Sequence, residues 1–279
     1  MTVRIVTDSS CDLPQSMADA LGITIVPLSI RFGEQEYIDR TTITADEFWS
    51  KVSASPVLPE TAAPSPGQFE QAYRNLKADG ASAIVVIALS SDLSATMQSS
   101  ELGARAVAGE IDVRIVDSRN ATMGLGLIVL ECAERAKAGA SADEIVALAN
   151  SIAPRVRVYG ALDTIENLKK GGRIGGAKAL MASALSIKPI VEVANGLIGE
   201  AGKQRTRSKA LAFLIEKVRE NADNIHRLGL LHAQCSDVDA VVAMIKEVYP
   251  HDFVVSDIGA VIGTHTGEGT MGVAFILNQ

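Results

Sequence analysis

Hydroxyl and carboxyl side chains follow three predicted strands in the amino-terminal half of the chain. Thr7-Asp8-Ser9-Ser10, Ser90-Ser91 and Asp117-Ser118 each end a run rich in Val and Ile. Ligands of open α/β sheets bind beyond the carboxyl ends of the strands, so these residues mark a candidate site. Asp8 does not fit a phosphatase-type D-x-D motif, because position 10 is a serine.

Asp12 lies just after the first of these clusters. Gln15 follows it by three residues, a spacing typical of a capping box at the start of a helix. We therefore expect Asp12 to cap the first helix.

Ser94 stands where an apolar strand gives way to a helix, in Ser91-Asp92-Leu93-Ser94-Ala95-Thr96. The position predicts an N-cap. A helix start also presents free N–H groups that bind carboxylate or phosphate. Spacing alone favours neither interpretation.

Thr61 lies in a segment that holds four of the nine prolines, from Pro56 to Pro66. Pro66 suits the first turn of a helix. The stiff segment is either a plain connection or a support that holds Thr61 over a cleft, and spacing does not choose between them.

Two glycine-rich segments resemble nucleotide-binding loops but fail the tests for them. Lys169–Gly176 lacks the Gly-Lys-[Ser/Thr] ending of a P-loop, so a turn is favoured. Gly267–Gly272 satisfies G-x-G-x-x-G but leads into a strand near the end of the sequence, whereas a dinucleotide fingerprint opens a helix.

His265 is flanked by two threonines and two glycines in Gly263-Thr264-His265-Thr266-Gly267. This composition predicts an exposed loop, on which the histidine is either solvent-facing or functional. No G-x-S-x-G nucleophile elbow accompanies it in the sequence, so serine hydrolase chemistry is unsupported.

The elements that must position these residues alternate between strand and helix along the whole chain. Apolar runs such as 3–7, 82–89 and 112–116 are separated by segments of helical periodicity, which predicts a parallel α/β sheet in the first half. After Pro154 the alternation restarts, and Asn195-Gly196 predicts a hairpin. We expect two α/β domains, residues 1–154 with a parallel sheet and 155–279 with a mixed sheet, and a ligand site between them.

Composition narrows the classes of function. Of 279 residues 47% are hydrophobic but only 4% aromatic, the formal net charge is −7, and there are three cysteines. The acidic balance disfavours nucleic-acid binding, and the cysteines form neither a disulfide framework nor a zinc motif. The longest uncharged run, residues 80–91, is too short for a transmembrane helix, and Asp8 interrupts any signal peptide, so we expect a cytoplasmic protein.

Seven motifs in one order resemble the DegV family across the whole chain. They are Ile5-Val6-Thr7-Asp8-Ser9, Thr61…Pro64-Ser65-Pro66, Leu93-Ser94-Ala95-Thr96, Asp117-Ser118, Gly171-Gly172-Arg173-Ile174, Ile187-Lys188-Pro189-Ile190 and Ile262-Gly263-Thr264-His265-Thr266-Gly267. The resemblance implies a two-domain α/β protein that binds one long-chain fatty acid between its domains.

The resemblance also implies site residues and a partner. The family's carboxylate-binding residues correspond to Thr61 and Ser94, its loop histidine to His265 and its K-x-R-T arginine to Arg205. Relatives present the bound acid to a separate ATP-dependent kinase that forms an acyl phosphate, so this chain is expected to be a carrier without enzyme activity, cofactor or metal.

Two positions depart from the family pattern. Ala62 removes a hydroxyl from the T-S-x-P-S loop, although its backbone N–H remains available to the carboxylate. Ala95 replaces the glycine of L-S-G-T, and a positive φ there would be costly for alanine. The competing hypothesis is a stand-alone phosphotransferase or hydrolase that uses Asp8, Asp117, Ser94 and His265.

Overall fold

The structure, a computed structural model, describes residues 2–55, 57–182 and 187–279, with only the backbone described at 179–182. The strands are β1 Val3–Asp8, β2 Thr24–Val26, β3 Ser29–Phe32, β4 Gln35–Ile38, β5 Glu60–Ala62, β6 Ala83–Ala88, β7 Asp112–Asp117, β8 Val156–Ala161, β9 Lys188–Ala194, β10 Leu197–Gln204, β11 Ile225–His232, β12 Val254–Asp257 and β13 Met271–Leu277. The helices are α1 Gln15–Leu21, α2 Ala45–Ala54, α3 Pro66–Ala78, α4 Thr96–Ala106, α5 Thr122–Lys137, α6 Ala142–Ile152, α7 Glu166–Lys170, α8 Arg207–Arg219, α9 Val238–Val248 and α10 Ala260–Thr266.

The first half forms a four-stranded parallel sheet in the order β2-β1-β6-β7. Every residue of β6 is buried, as expected for a strand covered on both faces. Val6, Ile84 and Val86 pack with residues of α3, whereas the alternate residues Val85 and Ile87 pack with α5 and α6. The predicted doubly covered α/β layer is confirmed.

The second half forms a six-stranded mixed sheet in the order β10-β9-β8-β13-β11-β12. Only β11 and β12 pair in parallel, and the other neighbours are antiparallel. The predicted hairpin turn joins β9 to β10, with positive φ at Asn195 and Gly196. Helical periodicity also predicts a helix over 177–184, but the structure has a 3-10 helix, Gly175–Ala182, and positions 183 and 184 lie outside the described part of the chain.

A third, three-stranded antiparallel sheet, β4-β3-β5, carries Thr61 on its edge strand. The sequence pattern predicts a single strand over 24–30, and this is wrong. Pro27 separates β2 from β3 because proline has no N–H to continue a sheet ladder, and the two strands join different sheets.

Helix α5 lies between the parallel and the mixed sheets and packs on both β1 and β13. Two glycines on this helix permit the close approach. A Cβ at Gly124 would lie 2.4 Å from a Val158 methyl carbon, and one at Gly126 would lie 2.6 Å from the Cys11 carbonyl oxygen. One hydrophobic core therefore runs through both halves of the molecule.

Candidate functional site

An apolar cavity lies between the parallel sheet and the mixed sheet, and we call it the central cavity. Its empty volume, which includes solvent space at its open mouth, is about 860 Å³. Both halves of the chain supply its aliphatic wall, which includes Leu28, Leu89, Val158, Val193, Leu231 and Val261. Tyr159 is the one Phe, Tyr or Trp side chain among the described residues that line it.

Thr61 and His265 meet at one end of this cavity, although 204 residues separate them in the chain. The Thr61 hydroxyl and His265 Nε2 lie 2.9 Å apart in a hydrogen bond. The prediction that His265 lies on an exposed loop is wrong, because it occupies the last turn of α10 and is only partly exposed.

The His265 ring is neutral at physiological pH. Burial, assisted by the positive charge of Arg173, lowers the pKa of His265 to about 4. Its Nδ1 has no hydrogen-bond partner among the described residues and faces Gly171, where a Cβ would lie 2.3 Å from that nitrogen. The imidazole is therefore an uncharged hydrogen-bonding group held between Thr61 and the glycine.

Ser94 lines the central cavity beside this pair. The N-cap of α4 is Ala95, so the prediction that Ser94 is the N-cap is wrong by one residue. Ser94 Oγ nevertheless accepts a hydrogen bond from the Thr96 N–H at 3.3 Å and lies 2.8 Å from Thr96 Oγ1. Ala95 has φ −76°, so replacement of the family's glycine causes no backbone strain here.

Arg173 supplies the positive charge at this end of the cavity. Its Nε donates to the Leu93 carbonyl at 3.2 Å and its Nη1 to the Gly171 carbonyl at 2.8 Å. Arg173, Thr61 and His265 line both the central cavity and a neighbouring polar recess, which Lys170 and Asn167 also line. The polar end of the cavity therefore opens towards this recess, which we call the basic recess because Lys170 and Arg173 outnumber its one described carboxylate, Glu60.

The structure does not bring the other predicted residues to the cavity. Ala62 is exposed beside Thr61 at the end of β5, and Arg205 is exposed between β10 and α8. Neither is among the described residues that line the cavity.

The four residues of the competing enzyme hypothesis do not share a cavity. Asp8 is fully buried, and its carboxylate accepts hydrogen bonds from the backbone N–H groups of Ser10 and Leu89. Asp117 accepts from Ser91 Oγ at 2.6 Å and lines a different recess. Only Ser94 and His265 line the central cavity.

Sequence reasoning gave no site role to Arg173, which lines the cavity, or to Thr96 and Gly171, which lie against Ser94 and His265. The basic, glycine-rich composition of 169–176 was the available signal, but its failure as a P-loop favoured a plain turn. Among the described residues, no group of three or more His, Cys, Asp or Glu side chains could hold a metal ion. No described helix has the length and apolar character needed to cross a membrane.

Comparison with known proteins shows which family this chain is similar to. The family model described as "Uncharacterised protein, DegV family" matches residues 2–278. A DegV domain-containing protein of Deinococcus radiodurans is 37% identical over 278 residues, which cover 98% of each chain.

Two solved structures with similar folds are reported as fatty-acid-binding proteins. A DegV family protein from Thermus thermophilus has a TM-score of 0.90 and 32% identity, with 99% of this chain and 100% of that chain covered. DegV from Bacillus subtilis has a TM-score of 0.88 and 30% identity, with 100% of both chains covered.

Proposed function

The chain belongs to the DegV family, and from this premise we propose that it binds one long-chain fatty acid in the central cavity. We propose further that it presents the carboxylate to a separate ATP-dependent kinase, which forms an acyl phosphate. The proposal rests on the distribution of polar groups in the cavity. Its wall is aliphatic and ends at Thr61, Ser94 and His265.

The hydroxyl groups of Thr61 and Ser94 suit a carboxylate because each can accept a hydrogen bond from its protein partner and donate its own proton to the ligand. With a proton on His265 Nε2, the ring donates to Thr61 Oγ1, and the Thr61 hydroxyl then donates to the ligand. Ser94 Oγ already accepts from the Thr96 N–H, and Thr96 Oγ1 is placed to donate to it as well. Both hydroxyls are thereby oriented before a ligand arrives.

Arg173 contributes the charge that a carboxylate needs in an apolar cavity. Its guanidinium is held by the carbonyl oxygens of Leu93 and Gly171 and lines the cavity at the same end as the hydroxyls. A buried carboxylate is stable only when it is paired or hydrogen-bonded. The His265 imidazole is neutral and adds no charge at this end, and Glu192 is the one carboxylate among the described residues that line the cavity.

The aliphatic wall supplies most of the expected affinity. Transfer of each methylene group from water to an apolar site contributes about 0.8 kcal/mol. A saturated or monounsaturated chain of sixteen to eighteen carbons therefore gains far more from the wall than from its carboxylate. Leu28, Leu89, Val193 and Leu231 are among the side chains that would contact it.

The basic recess supports the kinase step of the proposal. Thr61, Arg173 and His265 line both the cavity and the recess, so a carboxylate bound there faces an opening rather than the closed interior. Lys170 on the rim of the recess adds a positive charge where a phosphoryl group would arrive.

A hydroxylamine trap tests the carrier role directly. Acyl phosphates react with hydroxylamine to give hydroxamates, which are identified by mass spectrometry. Oleate-loaded protein, ATP and a fatty acid kinase should give oleoyl hydroxamate, and omission of any one component should abolish it. Turnover of ATP by the purified chain alone would contradict the carrier role and favour an enzyme.

A further inference from the structure

We propose that Asp12 is a positioning residue, which ties the start of α10 to the first half of the molecule and so holds His265 against Thr61. The effect on ligand affinity rests on the proposed function. The effect on α10 itself does not, and the experiment below separates the two.

Three hydrogen bonds converge on Asp12. Its Oδ1 accepts from the Gly259 N–H at 2.9 Å, its Oδ2 accepts from Thr122 Oγ1 at 2.6 Å, and its carbonyl oxygen accepts from Ser256 Oγ at 2.6 Å. The partners are 110 to 247 residues away along the chain. Asp12 is fully buried, in a left-handed conformation with φ 50° that aspartate tolerates better than most residues.

The expected role of Asp12 as a cap of α1 is wrong. The N-cap of α1 is Pro14, which makes no side-chain cap, and Gln15 donates to Asp19 rather than completing a capping box. The carboxylate instead serves α10, whose N-cap is Gly259. This glycine has no side chain to accept a hydrogen bond, and a Cβ there would lie 3.0 Å from Asp12 Oδ1.

Helix α10 depends on such support because its own sequence is a poor helix former. It has seven residues, and Gly263, Thr264 and Thr266 all have low helix propensity. A helix this short is unstable alone, so packing and end contacts must fix it. Asn167 Nδ2 donates to the Thr264 carbonyl at 3.2 Å near the other end, so α10 is held at both ends.

Asp12 is hydrogen-bonded to the first residue of α5 and to the N-cap of α10, and residues of both helices line the cavity. Thr122 begins α5 and lines the central cavity, and Val261, Ile262 and His265 of α10 line it from the other half. A single carboxylate therefore fixes the spacing of two wall elements. Asp8 differs, because its bonds to Ser10 and Leu89 stay within the first half of the chain.

Hydrogen exchange of ligand-free protein tests the tie without reference to any ligand. We expect Asp12→Ala to raise exchange in peptides covering 258–267 by about tenfold, the scale of leaving a buried hydrogen-bonding group without its partner. Ser256→Ala removes one of the three bonds and should give a smaller rise in the same peptides. Ser141→Ala, which removes the N-cap of α6, is the control and should leave 258–267 unchanged.

Oleate titration of the same proteins then tests the link to His265. Asp12→Ala should weaken binding about tenfold, Ser256→Ala about threefold and Ser141→Ala not at all. Unchanged exchange at 258–267 in Asp12→Ala overturns the proposal, and if that variant does not fold, unchanged exchange in Ser256→Ala does so. Wild-type protein that binds no oleate would instead refute the proposed function and leave the exchange result standing.

Discussion

At the scale of single residues, the site combines uncharged hydrogen-bonding groups with one guanidinium. Thr61, Ser94 and His265 are uncharged and can form hydrogen bonds, and Arg173 supplies the charge. The motifs that contain Thr61, Ser94 and His265 are each too weak to indicate a site alone. These three residues were therefore predicted from the family resemblance. Arg173 was missed because its role depends on contacts with Leu93 and Gly171 that spacing does not reveal.

Removal of the Ser94 hydroxyl should weaken fatty-acid binding. We expect Ser94→Ala to reduce oleate affinity by about 1–3 kcal/mol, the scale of a hydrogen bond to a charged group. Calorimetric titration measures this. Ser151→Ala is a matched control, since its hydroxyl donates to the Leu148 carbonyl on an exposed face of α6. Equal affinities of Ser94→Ala and Ser151→Ala would remove Ser94 from the carboxylate site.

The ring of His265 should titrate well below an ordinary histidine. Its pKa is lowered to about 4, so it stays neutral until the pH falls below that value. NMR of histidine-labelled protein, with the signal assigned by His265→Asn, should give a midpoint near 4. A midpoint near the ordinary value of about 6.5 would show that the ring is not desolvated as described.

Protonation of Asp12 should make stability depend on pH. Burial raises the pKa of Asp12 to about 7, against the charge of Arg40, with Asp39 adding to the rise. Between about pH 4, the ordinary aspartate value, and pH 7 the folded protein keeps a proton that the unfolded chain has released. The contribution of Asp12 to the free energy of unfolding therefore falls as the pH rises through this range.

Asp12→Asn has no such proton and isolates this effect. Its stability relative to wild type should increase between pH 4 and 7 by roughly 2–4 kcal/mol and then level off. Asp8 and Asp39, whose pKa values are also raised, are present in both proteins. Urea unfolding at several pH values measures the difference. A difference that stays constant from pH 4 to 8 would contradict the assignment.

At the scale of elements, the helices and strands that could be predicted are those with a signal in their own local sequence. The strands β1, β6 and β7 and helices α5 and α9 follow directly from hydrophobic periodicity. Helix α2 was missed although Thr44 and Glu47 form a capping box at its start, a signal that was readable. Helix α10 could not be predicted from local sequence. Its support comes from Asp12, which lies 247 residues from Gly259 along the chain.

We predict that position 171 needs a glycine to leave space for the His265 ring, and not because of its backbone conformation. Its φ of −71° is open to any residue, so the lack of space calls for a glycine: a Cβ would lie 2.3 Å from His265 Nδ1, against 3.1 Å from the Asn167 carbonyl oxygen. We expect Gly171→Ala to weaken oleate binding about tenfold in wild type but less than twofold in a His265→Ala background, where the ring is absent. Calorimetry of the four proteins measures this coupling, and equal losses in both backgrounds would contradict it.

At the scale of the whole molecule, an aliphatic composition serves both a core and a cavity. The sequence has 47% hydrophobic but only 4% aromatic residues, and the cavity wall follows that bias, with Tyr159 as its one described Phe, Tyr or Trp. Phe48, Trp49, Phe69 and Tyr73 are buried in the cores away from it. Composition could not predict how many aliphatic side chains line the cavity, because that depends on how α5 separates the two sheets.

Identification of the ligand that the purified protein carries tests whether the central cavity holds a fatty acid. Native mass spectrometry of protein purified from bacteria, followed by denaturing extraction and analysis of the extract, reports what occupies the cavity. We predict one long-chain fatty acid per chain, and added palmitate or oleate should stabilise the delipidated protein against heat. Recovery of no fatty acid, together with no stabilisation by either acid, would contradict it.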